Sequence, residues 1–294
     1  MDSQSFKPDF IGTGAPKSGT SWIYECIKEH PDFSVSKKKE LNRLDLENFN
    51  HDEYFQFFAD CDFNKLNGEY SPEYLYSDLA AKRIKEKYPD AKLIFCLRNP
   101  INKLVSFYHY MKSREHFTLP TLRAEIEQDP RGQINKSFYY KHLQKYLELF
   151  DRDQMLILIH DDITRDPVSL MSQVYQFLGA DPNFVAPSTK KKINVTLAKK
   201  AYVPGLKRIL FKIRKKLKAN KYGMKLVKFL KIFKINLLVK KIVYLNFRKE
   251  TDSNNPVVKE ELPEDLKRKL VENYRQDVDG LGKLLNRDLS FWLN

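Results

Sequence analysis

A glycine-rich turn between a predicted strand and a predicted helix is the feature that most constrains this chain. Residues 9–13 form a short, mostly apolar run that is typical of a buried strand, and residues 18–30 have a helical pattern. Gly14 and Gly19 lie in or beside the turn that joins them. Because free backbone N–H groups and the positive end of the helix dipole meet there, such a turn is a binding site for anions.

The turn has the glycine spacing of an ATP-binding P-loop but not its lysine. In the motif GxxxxGK[ST] the lysine directly follows the second glycine. Here Thr20 occupies that position, and the lysine is Lys17, inside the loop. The density of hydroxyl groups and cation in the string Lys-Ser-Gly-Thr-Ser-Trp favours phosphate binding over a tight turn with an incidental lysine.

A second strand–turn–helix unit follows further along the chain. Residues 92–97 are an unbroken apolar run after the initial Lys92, which is typical of a central parallel strand. Asn99-Pro100 is a typical helix start, so we expect a helix from about 100 to 113. Further strands at 33–36 and 155–159 alternate with helices. This alternation predicts a P-loop-type three-layer α/β fold with a central parallel sheet. Ligands are expected beyond the carboxyl ends of the strands, at the turns after Gly12 and Leu97.

Positive charge is concentrated in one segment. Residues 205–249 contain 16 Lys or Arg and no acid, whereas the whole chain has a net charge of +14, so the remainder is nearly neutral. Apolar residues within the segment have helical spacing. We therefore predict that residues 1–204 and 251–294 form the α/β domain and that residues 205–250 form a basic amphipathic helical insertion.

A basic amphipathic helix favours an anionic membrane surface. The alternatives are a helix that folds back on the core with solvated lysines, and binding of an acidic polymer; nucleic acid is the least favoured partner. No signal peptide is visible, and no uncharged stretch approaches the ~20 residues of a spanning helix. We expect a cytoplasmic protein, peripheral at the inner membrane face.

Cysteine and histidine limit the remaining classes of protein. Three widely separated cysteines exclude a disulfide framework and a four-thiolate zinc site, and no histidine has metal-ligand spacing. Residues 160–162, His-Asp-Asp, follow a predicted strand and support an alternative function, a P-loop kinase or ATPase with Mg²⁺. A non-catalytic protein that binds membrane or nucleic acid is another alternative.

The loop string resembles the 5′-phosphosulfate-binding loop of sulfotransferases that use 3′-phosphoadenosine 5′-phosphosulfate (PAPS), in the bacterial and heparan-sulfate-type branch. The resemblance implies that Lys17 contacts the phosphosulfate and assists the leaving phosphate. It also implies that the residues after it bind the 5′-phosphate and that the following tryptophan stacks on adenine, as in some members. These residues are Ser18, Gly19, Thr20, Ser21 and Trp22.

Other segments extend the resemblance. Arg98 at a strand end and Ser106 eight residues later are similar to the family's 3′-phosphate motif. Tyr139 lies in a segment that resembles one near the nucleotide. Residues 68–74 are similar to another family segment, although Tyr70 stands where lysine is common, so one cationic contact is missing at that position.

The resemblance also implies a general base. Glu40 occupies the place of a catalytic glutamate of the heparan-sulfate branch, although Asn42 stands where histidine is frequent. Glu40 could instead balance three neighbouring lysines, and His51 and His109 are the alternative bases. The implied reaction is metal-free transfer of a sulfuryl group from PAPS to an acceptor hydroxyl group of a carbohydrate or a lipid-linked molecule.

Overall fold

The computed structural model describes residues 5–113, 119–191, 199–201, 247–249 and 260–294. Most of the predicted basic insertion, residues 205–246 and 250, therefore lies outside the described residues. The boundaries of the insertion and the helical character of residues 205–246 stay predictions, whereas residues 247–249 form a strand.

A parallel sheet forms the centre of the molecule. Its strands run in the order β2-β3-β1-β4-β5, and every neighbouring pair is parallel. This confirms the predicted P-loop-type α/β fold and the strands expected at 9–13, 33–36, 92–97 and 155–159. The strands are β1 (Phe10–Gly14), β2 (Phe33–Val35), β3 (Leu66–Tyr70), β4 (Lys92–Leu97) and β5 (Met155–Ile159).

Strand β3 was not among the strands predicted from sequence. Its residues, Leu-Asn-Gly-Glu-Tyr, include two polar side chains and a glycine, which do not give an apolar run. Asn67 and Glu69 are nevertheless buried. The strand forms because it pairs with β1 and β2 on both edges, and its polar groups find partners inside the fold.

Helices connect the strands, and their starts follow local rules. The Asn99 side chain accepts hydrogen bonds from the backbone N–H groups of Ile101 and Asn102, which confirms the predicted helix start. The helices are α1 (Thr20–Glu29), α2 (His51–Phe55), α3 (Asp78–Lys87), α4 (Pro100–Ser113), α5 (Leu122–Gln128), α6 (Tyr139–Leu149), α7 (His160–Arg165), α8 (Pro167–Leu178) and α9 (Glu264–Leu285), with short 3₁₀ turns at Pro72–Tyr76, Asn135–Ser137, Arg152–Gln154, Pro187–Lys190 and Ser290–Leu293.

The chain divides into two compact units. The first, which we call the sheet unit, contains residues 1–104, 129–195 and 263–294. Its alternate β4 residues face opposite layers. Ile94 and Cys96 are buried in one cluster with residues of α1 and α8, whereas the Phe95 ring meets the Tyr146 ring of α6 at 5.1 Å. Helices therefore cover both faces of the sheet, which gives the three layers.

The second unit contains residues 105–128 and 196–262. In it, the antiparallel strands β6 (Lys199–Ala201) and β7 (Phe247–Lys249) pair. The carboxylate of Glu260 accepts hydrogen bonds from the Leu122 backbone N–H at 2.6 Å and the Tyr108 hydroxyl at 2.9 Å, and lies 3.3 Å from the Lys112 ammonium. These contacts tie α4 and α5 to Glu260.

The strand order creates one topological switch point. From β1 the chain crosses to β2 and β3 on one side of the sheet and then returns to β4 on the other side. The carboxyl ends of β1 and β4 are neighbours there, and ligands of open α/β sheets bind at such a point.

Candidate functional site

The loop after β1, residues 14–19, turns the chain sharply into α1. Its Ala15 N–H donates to the Cys96 carbonyl group at 2.7 Å, which fixes the loop to the end of β4. Lys17 and Gly19 have left-handed backbone conformations, with φ of 67° and 88°. A Cβ atom on Gly19 would overlap the Ile163 side chain, so this position requires glycine for two reasons. Among the described residues, no side chain caps the N-terminus of α1, and an uncapped helix N-terminus is suited to an anion.

Two buried hydroxyl groups meet beneath this loop. The Ser18 Oγ atom and the Tyr139 hydroxyl are both buried, and neither makes a hydrogen bond of good geometry within the described chain. Burial raises the pKa of Tyr139, and the nearby Ser18 hydroxyl and Arg98 backbone offset part of that rise. Buried polar groups in native proteins nearly always have partners, so these two indicate a ligand site.

Arg98 stands at the end of β4 and points back to the loop. Its Nη1 atom donates to the carbonyl group of Lys17 at 3.2 Å. Within the part of the chain that the structure describes, no carboxylate lies within 4 Å of its guanidinium group. Burial lowers the pKa of Arg98, and nearby Tyr139 and Asp161 partly offset this. A half-buried guanidinium without a carboxylate is suited to an anionic ligand.

The His-Asp-Asp residues of α7 pack beneath the loop instead of forming an acidic metal site. The His160 ring lies beside Gly19, and burial, with a contribution from Arg98, lowers its pKa to about 4. Asp161 accepts a hydrogen bond from the Trp292 indole at 3.2 Å, and Asp162 forms a two-pronged ion pair with Arg287. Both carboxylates therefore fasten the C-terminal residues, which removes the main support for a Mg²⁺-dependent kinase.

Glu40 lies at the same edge of the sheet, beyond β2. Its backbone N–H donates to the Tyr70 carbonyl group at 2.9 Å, and its exposed carboxylate pairs with the Lys39 ammonium at 2.7 Å. Tyr70 joins this region to the first loop, because its hydroxyl group donates to the Gly14 carbonyl at 3.4 Å. Burial lowers the pKa of Lys39, and Glu40 offsets part of the change.

Lys39 places a cation near Tyr70, the position at which the sequence lacks the lysine of the resembled family. The Lys39 ammonium lies 5.8 Å from the centroid of the Tyr70 ring. A cation is therefore present above the tyrosine that stands where the resembled family commonly has lysine. Sequence reasoning did not assign Lys39, because three consecutive lysines gave no reason to prefer one of them.

The other residues predicted to bind the nucleotide lie on α1 and α4. Thr20 is buried at the first position of α1, and Ser21 is half-buried beside it. Trp22 is 5% exposed, and its indole N–H donates to the Ser188 carbonyl group at 2.9 Å. Little of its ring is accessible, so adenine stacking by Trp22 stays a prediction. Ser106 is half-buried on α4, in the second unit.

The two alternative bases have structural contacts. His51 Nδ1 lies 3.2 Å from the Tyr88 hydroxyl group, and His109 Nε2 lies 3.2 Å from the Glu260 carbonyl oxygen. Glu40 is the most exposed of the three candidates. Their order as candidate bases stays a prediction.

A buried carboxylate next to the Glu40 region was missed at the sequence level. Glu69 is fully buried on β3, and burial raises its pKa to about 7, against hydrogen bonds that lower it. The available signal was a glutamate within the segment 68–74, but nothing in the sequence showed that this segment is a central strand.

Among the described residues, no three His, Cys, Asp or Glu side chains are grouped closely enough to hold a metal ion. Of the helices in the described ranges, none combines the length and the hydropathy that crossing a lipid bilayer requires.

Comparisons with known proteins identify a family and a fold. A family model described as "Sulfotransferase domain" matches residues 7–281. A solved structure of a sulfotransferase from Alicyclobacillus acidocaldarius covers 98% of this chain and 100% of its own, with a TM-score of 0.68 and 22% identity. That structural likeness shows the fold.

Curated relatives match part of the chain. The mouse bifunctional heparan sulfate N-deacetylase/N-sulfotransferase 4 is 26% identical over 207 residues, covering 60% of this chain and 23% of the relative. The guinea pig (Cavia porcellus) 3-alpha-hydroxysteroid sulfotransferase is 26% identical over 174 residues, covering 58% of each. The chain thus spans less than two thirds of the length of either relative.

Proposed function

The chain belongs to the sulfotransferase domain family, and from that premise we propose that it transfers a sulfuryl group from PAPS to an acceptor hydroxyl group. The observation that supports this most is made at the carboxyl ends of β1 and β4. There, among the described residues, a buried hydroxyl without a hydrogen bond lies near a guanidinium without a carboxylate partner. Ser18 and Arg98 supply these groups. When bound, PAPS supplies the sulfuryl group and a phosphate leaving group.

The residues present fit such a donor. The uncapped N-terminus of α1 and the Ser18 hydroxyl would hold the 5′-phosphate, with Lys17, Gly19, Thr20 and Ser21 around it. Arg98 would hold the 3′-phosphate, because a guanidinium fork donates to phosphate oxygens. The sequence resemblance assigns the Ser106 hydroxyl to the same phosphate. Tyr139 and Trp22 would lie toward the nucleoside.

The catalytic roles follow from charge. Lys17 would stabilise the negative charge that develops on the leaving phosphate, as a fixed cation does in a partly water-excluded site. Glu40 would accept the proton of the acceptor hydroxyl at a carboxylate oxygen. Lys39, at 2.7 Å from that carboxylate, orients it. These roles require the acceptor to approach between the 14–19 loop and Glu40. Tyr70 connects these two places, because it hydrogen-bonds to Gly14 and to the Glu40 backbone.

Ligand-dependent stability tests the proposal. Adenosine 3′,5′-bisphosphate (PAP, the desulfated product) should stabilise the protein by about 2.7 kcal/mol at 100 times its Kd. Mg-ATP and ADP should stabilise it much less, since they lack the 3′-phosphate. Stabilisation by Mg-ATP with none by PAP would overturn the proposal in favour of a nucleotide kinase or ATPase.

The acceptor class is a further part of the proposal. The names of the relatives indicate a glycan and a hydroxysteroid, and a carbohydrate or lipid-linked hydroxyl group is the acceptor we propose here. Sulfate transfer from radiolabelled PAPS to a panel of oligosaccharides, lipid-linked sugars and sterols would identify it. Transfer only to amines would contradict the hydroxyl assignment.

We also propose a cytoplasmic protein that meets anionic membrane through residues 205–249. The support is the sequence pattern of that segment, 16 cations without an acid. Co-sedimentation with vesicles of varied anionic content is the test, with lysines 225, 228, 231 and 234 changed to Glu as the matched variant. Absence of vesicle binding at low salt would contradict the membrane assignment.

A further inference from the structure

A carboxylate is buried inside the sheet unit, close to the loop that carries Glu40. Glu69 is 0% exposed, and no ammonium or guanidinium group of the described residues lies within 4 Å of it. Its Oε2 atom accepts from the Ser71 hydroxyl at 2.5 Å, and its Oε1 atom accepts from the hydroxyls of Tyr74 at 3.0 Å and Tyr54 at 3.2 Å. Burying a charge in this way is costly, so three converging donors call for an explanation beyond core packing.

Two of those hydroxyl groups also receive hydrogen bonds from the loop that carries Glu40. The Asn42 backbone N–H donates to Ser71 Oγ at 3.1 Å. The N–H groups of the next two residues, Arg43 and Leu44, donate to the Tyr74 hydroxyl at 2.9 and 3.2 Å. With the Glu40 N–H on the Tyr70 carbonyl, these backbone donors of residues 40–44 end on the segment 69–74.

The carboxylate dictates the direction of these bonds. An ionised carboxylate accepts only, so Ser71 and Tyr74 must each turn their single hydrogen toward Glu69. Their lone pairs then face the loop and accept its N–H groups. If the residue at position 69 donated a hydrogen instead, one of these hydroxyls would face donors on two sides.

The loop itself needs such support. Glu40 and Asn42 have left-handed backbone conformations, with φ of 64° and 47°, which are unfavourable for residues other than glycine. Alternation of this kind turns successive N–H groups toward one point, where an anion is normally bound. Here an internal carboxylate, acting through two hydroxyls, occupies that role.

We propose that Glu69 is a positioning residue: through Ser71 and Tyr74 it holds the 40–44 loop and so fixes the place of the Glu40 carboxylate. The proposal rests on the proposed function for its kinetic consequence, since it treats Glu40 as the base. Its structural consequence, the order of the loop, is independent of any reaction.

The test compares Glu69→Gln with Tyr54→Phe by amide hydrogen exchange and by turnover. Glutamine replaces one acceptor oxygen with a donor, so exchange at residues 42–44 should become about tenfold faster, the scale of a lost hydrogen bond. Turnover should fall by a similar or larger factor while PAP affinity stays within about twofold. Tyr54→Phe removes a hydrogen bond to the same Oε1 atom without touching the loop, so it should alter neither exchange at 42–44 nor turnover.

A pH profile adds a readout that general destabilisation would not reproduce. Burial raises the pKa of Glu69 to about 7, so wild-type turnover should gain an ionisation near neutral pH that Glu69→Gln lacks. The groups whose charge or hydroxyl faces Glu69 are Lys39, Tyr24, Tyr54, Tyr74 and Tyr88, and the phenols stay neutral through this range because burial raises their pKa values.

The outcomes separate this proposal from the proposed function. If Glu40→Gln retains turnover, the base lies elsewhere, yet exchange at 42–44 in Glu69→Gln still decides the positioning role. If Glu69→Gln does not fold, Ser71→Ala and Tyr74→Phe, which each remove one link to the loop, decide it in the same way. Native exchange rates at 42–44 in these variants would overturn the proposal.

Discussion

Two loops at the carboxyl edge of the sheet, residues 14–19 and residues 40–44, are built from the same backbone device. Each contains two residues in the left-handed conformation, Lys17 and Gly19 in the first and Glu40 and Asn42 in the second. Each therefore directs several N–H groups to one side. They differ in what those groups meet: the first loop surrounds an unsatisfied hydroxyl and an uncapped helix end, whereas the second is filled by groups that Glu69 organises.

This difference separates binding from positioning. A concave loop whose polar groups lack partners is stabilised by a ligand from outside, because the ligand supplies hydrogen bonds that the fold does not. A loop whose backbone N–H groups already have acceptors offers none of them to an anion, and it can hold an attached side chain in place. The first loop is thus suited to the donor nucleotide, and the second to an exposed carboxylate, Glu40.

The largest expected effect tests whether the second loop carries the base. Glu40→Gln should lower turnover by ~10²-fold or more, because the amide cannot accept the acceptor's proton. PAP affinity should stay nearly unchanged, since Glu40 lies outside the nucleotide loop. Turnover with saturating PAPS and PAP-induced thermal shifts are the measurements.

Glu47→Gln is the matched control. Glu47 is an exposed glutamate in the same connection between β2 and β3, so it should leave both measurements unchanged. Retained turnover in Glu40→Gln would show that the second loop does not carry the base, and His51 and His109 would become the candidates.

The same contrast explains what the sequence could predict. The residues of the 14–19 loop are consecutive, so the spacing of its glycines and the place of its lysine are visible in the sequence. The strands at 92–97 and 155–159 were predicted with correct bounds because parallel strands covered by helices on both faces are apolar runs.

The support of the second loop could not be predicted in this way. Glu69 acts on residues that are about 27 positions away, and it does so because β3 lies beside β1 and β2. A polar strand such as Leu-Asn-Gly-Glu-Tyr gives no periodic signal, and local propensity yields to pairing on both edges. The roles of Lys39 and His160 likewise depend on neighbours that only the fold brings together.

The next effect concerns the pH dependence of the free energy of unfolding, and it arises from Glu69, which supports the second loop only. The folded-state pKa of Glu69 is about 7, above its ordinary value of 4.5, so between these values the folded protein holds a proton that the unfolded chain has lost. Stability must then fall as pH rises from about 4.5 to about 7 and change no further above that. The contribution is on the order of 3 kcal/mol for a shift of this size.

Urea unfolding at several pH values, in wild type and Glu69→Gln, measures this contribution. As pH rises from about 4.5 to about 7, the free energy of unfolding of the wild type should fall relative to that of Glu69→Gln. If the free energies of unfolding of the two proteins change in parallel with pH, Glu69 has an ordinary pKa in the folded protein.

A smaller effect is expected at the open loop's cationic neighbour. Arg98→Ala should weaken PAP by ~1.5–3 kcal/mol and should weaken adenosine 5′-phosphosulfate, which lacks the 3′-phosphate, far less. Arg98→Lys keeps a charge but loses the guanidinium fork, so its PAP affinity should lie between those of the wild type and Arg98→Ala. Isothermal titration with both nucleotides is the measurement, and equal losses for both would show that Arg98 does not contact the 3′-phosphate.

The smallest effect compares two serines and tests the contrast between the loops most directly. Ser18 Oγ is buried without a hydrogen bond in the described chain, whereas Ser71 Oγ both donates to Glu69 and accepts from the Asn42 N–H. Ser18→Ala removes an unsatisfied hydroxyl, so the ligand-free protein should keep its stability or gain a few tenths of a kcal/mol, while PAP binding weakens by ~0.5–1.5 kcal/mol. Ser71→Ala should do the reverse: it should cost the ligand-free protein ~1–3 kcal/mol, because the carboxylate and the backbone N–H each lose a partner, and leave PAP affinity unchanged. Chemical unfolding and PAP titration of both variants give four values that must show this crossed pattern. A loss of stability in ligand-free Ser18→Ala would mean that its hydroxyl already has a partner, and the first loop would then be as filled as the second.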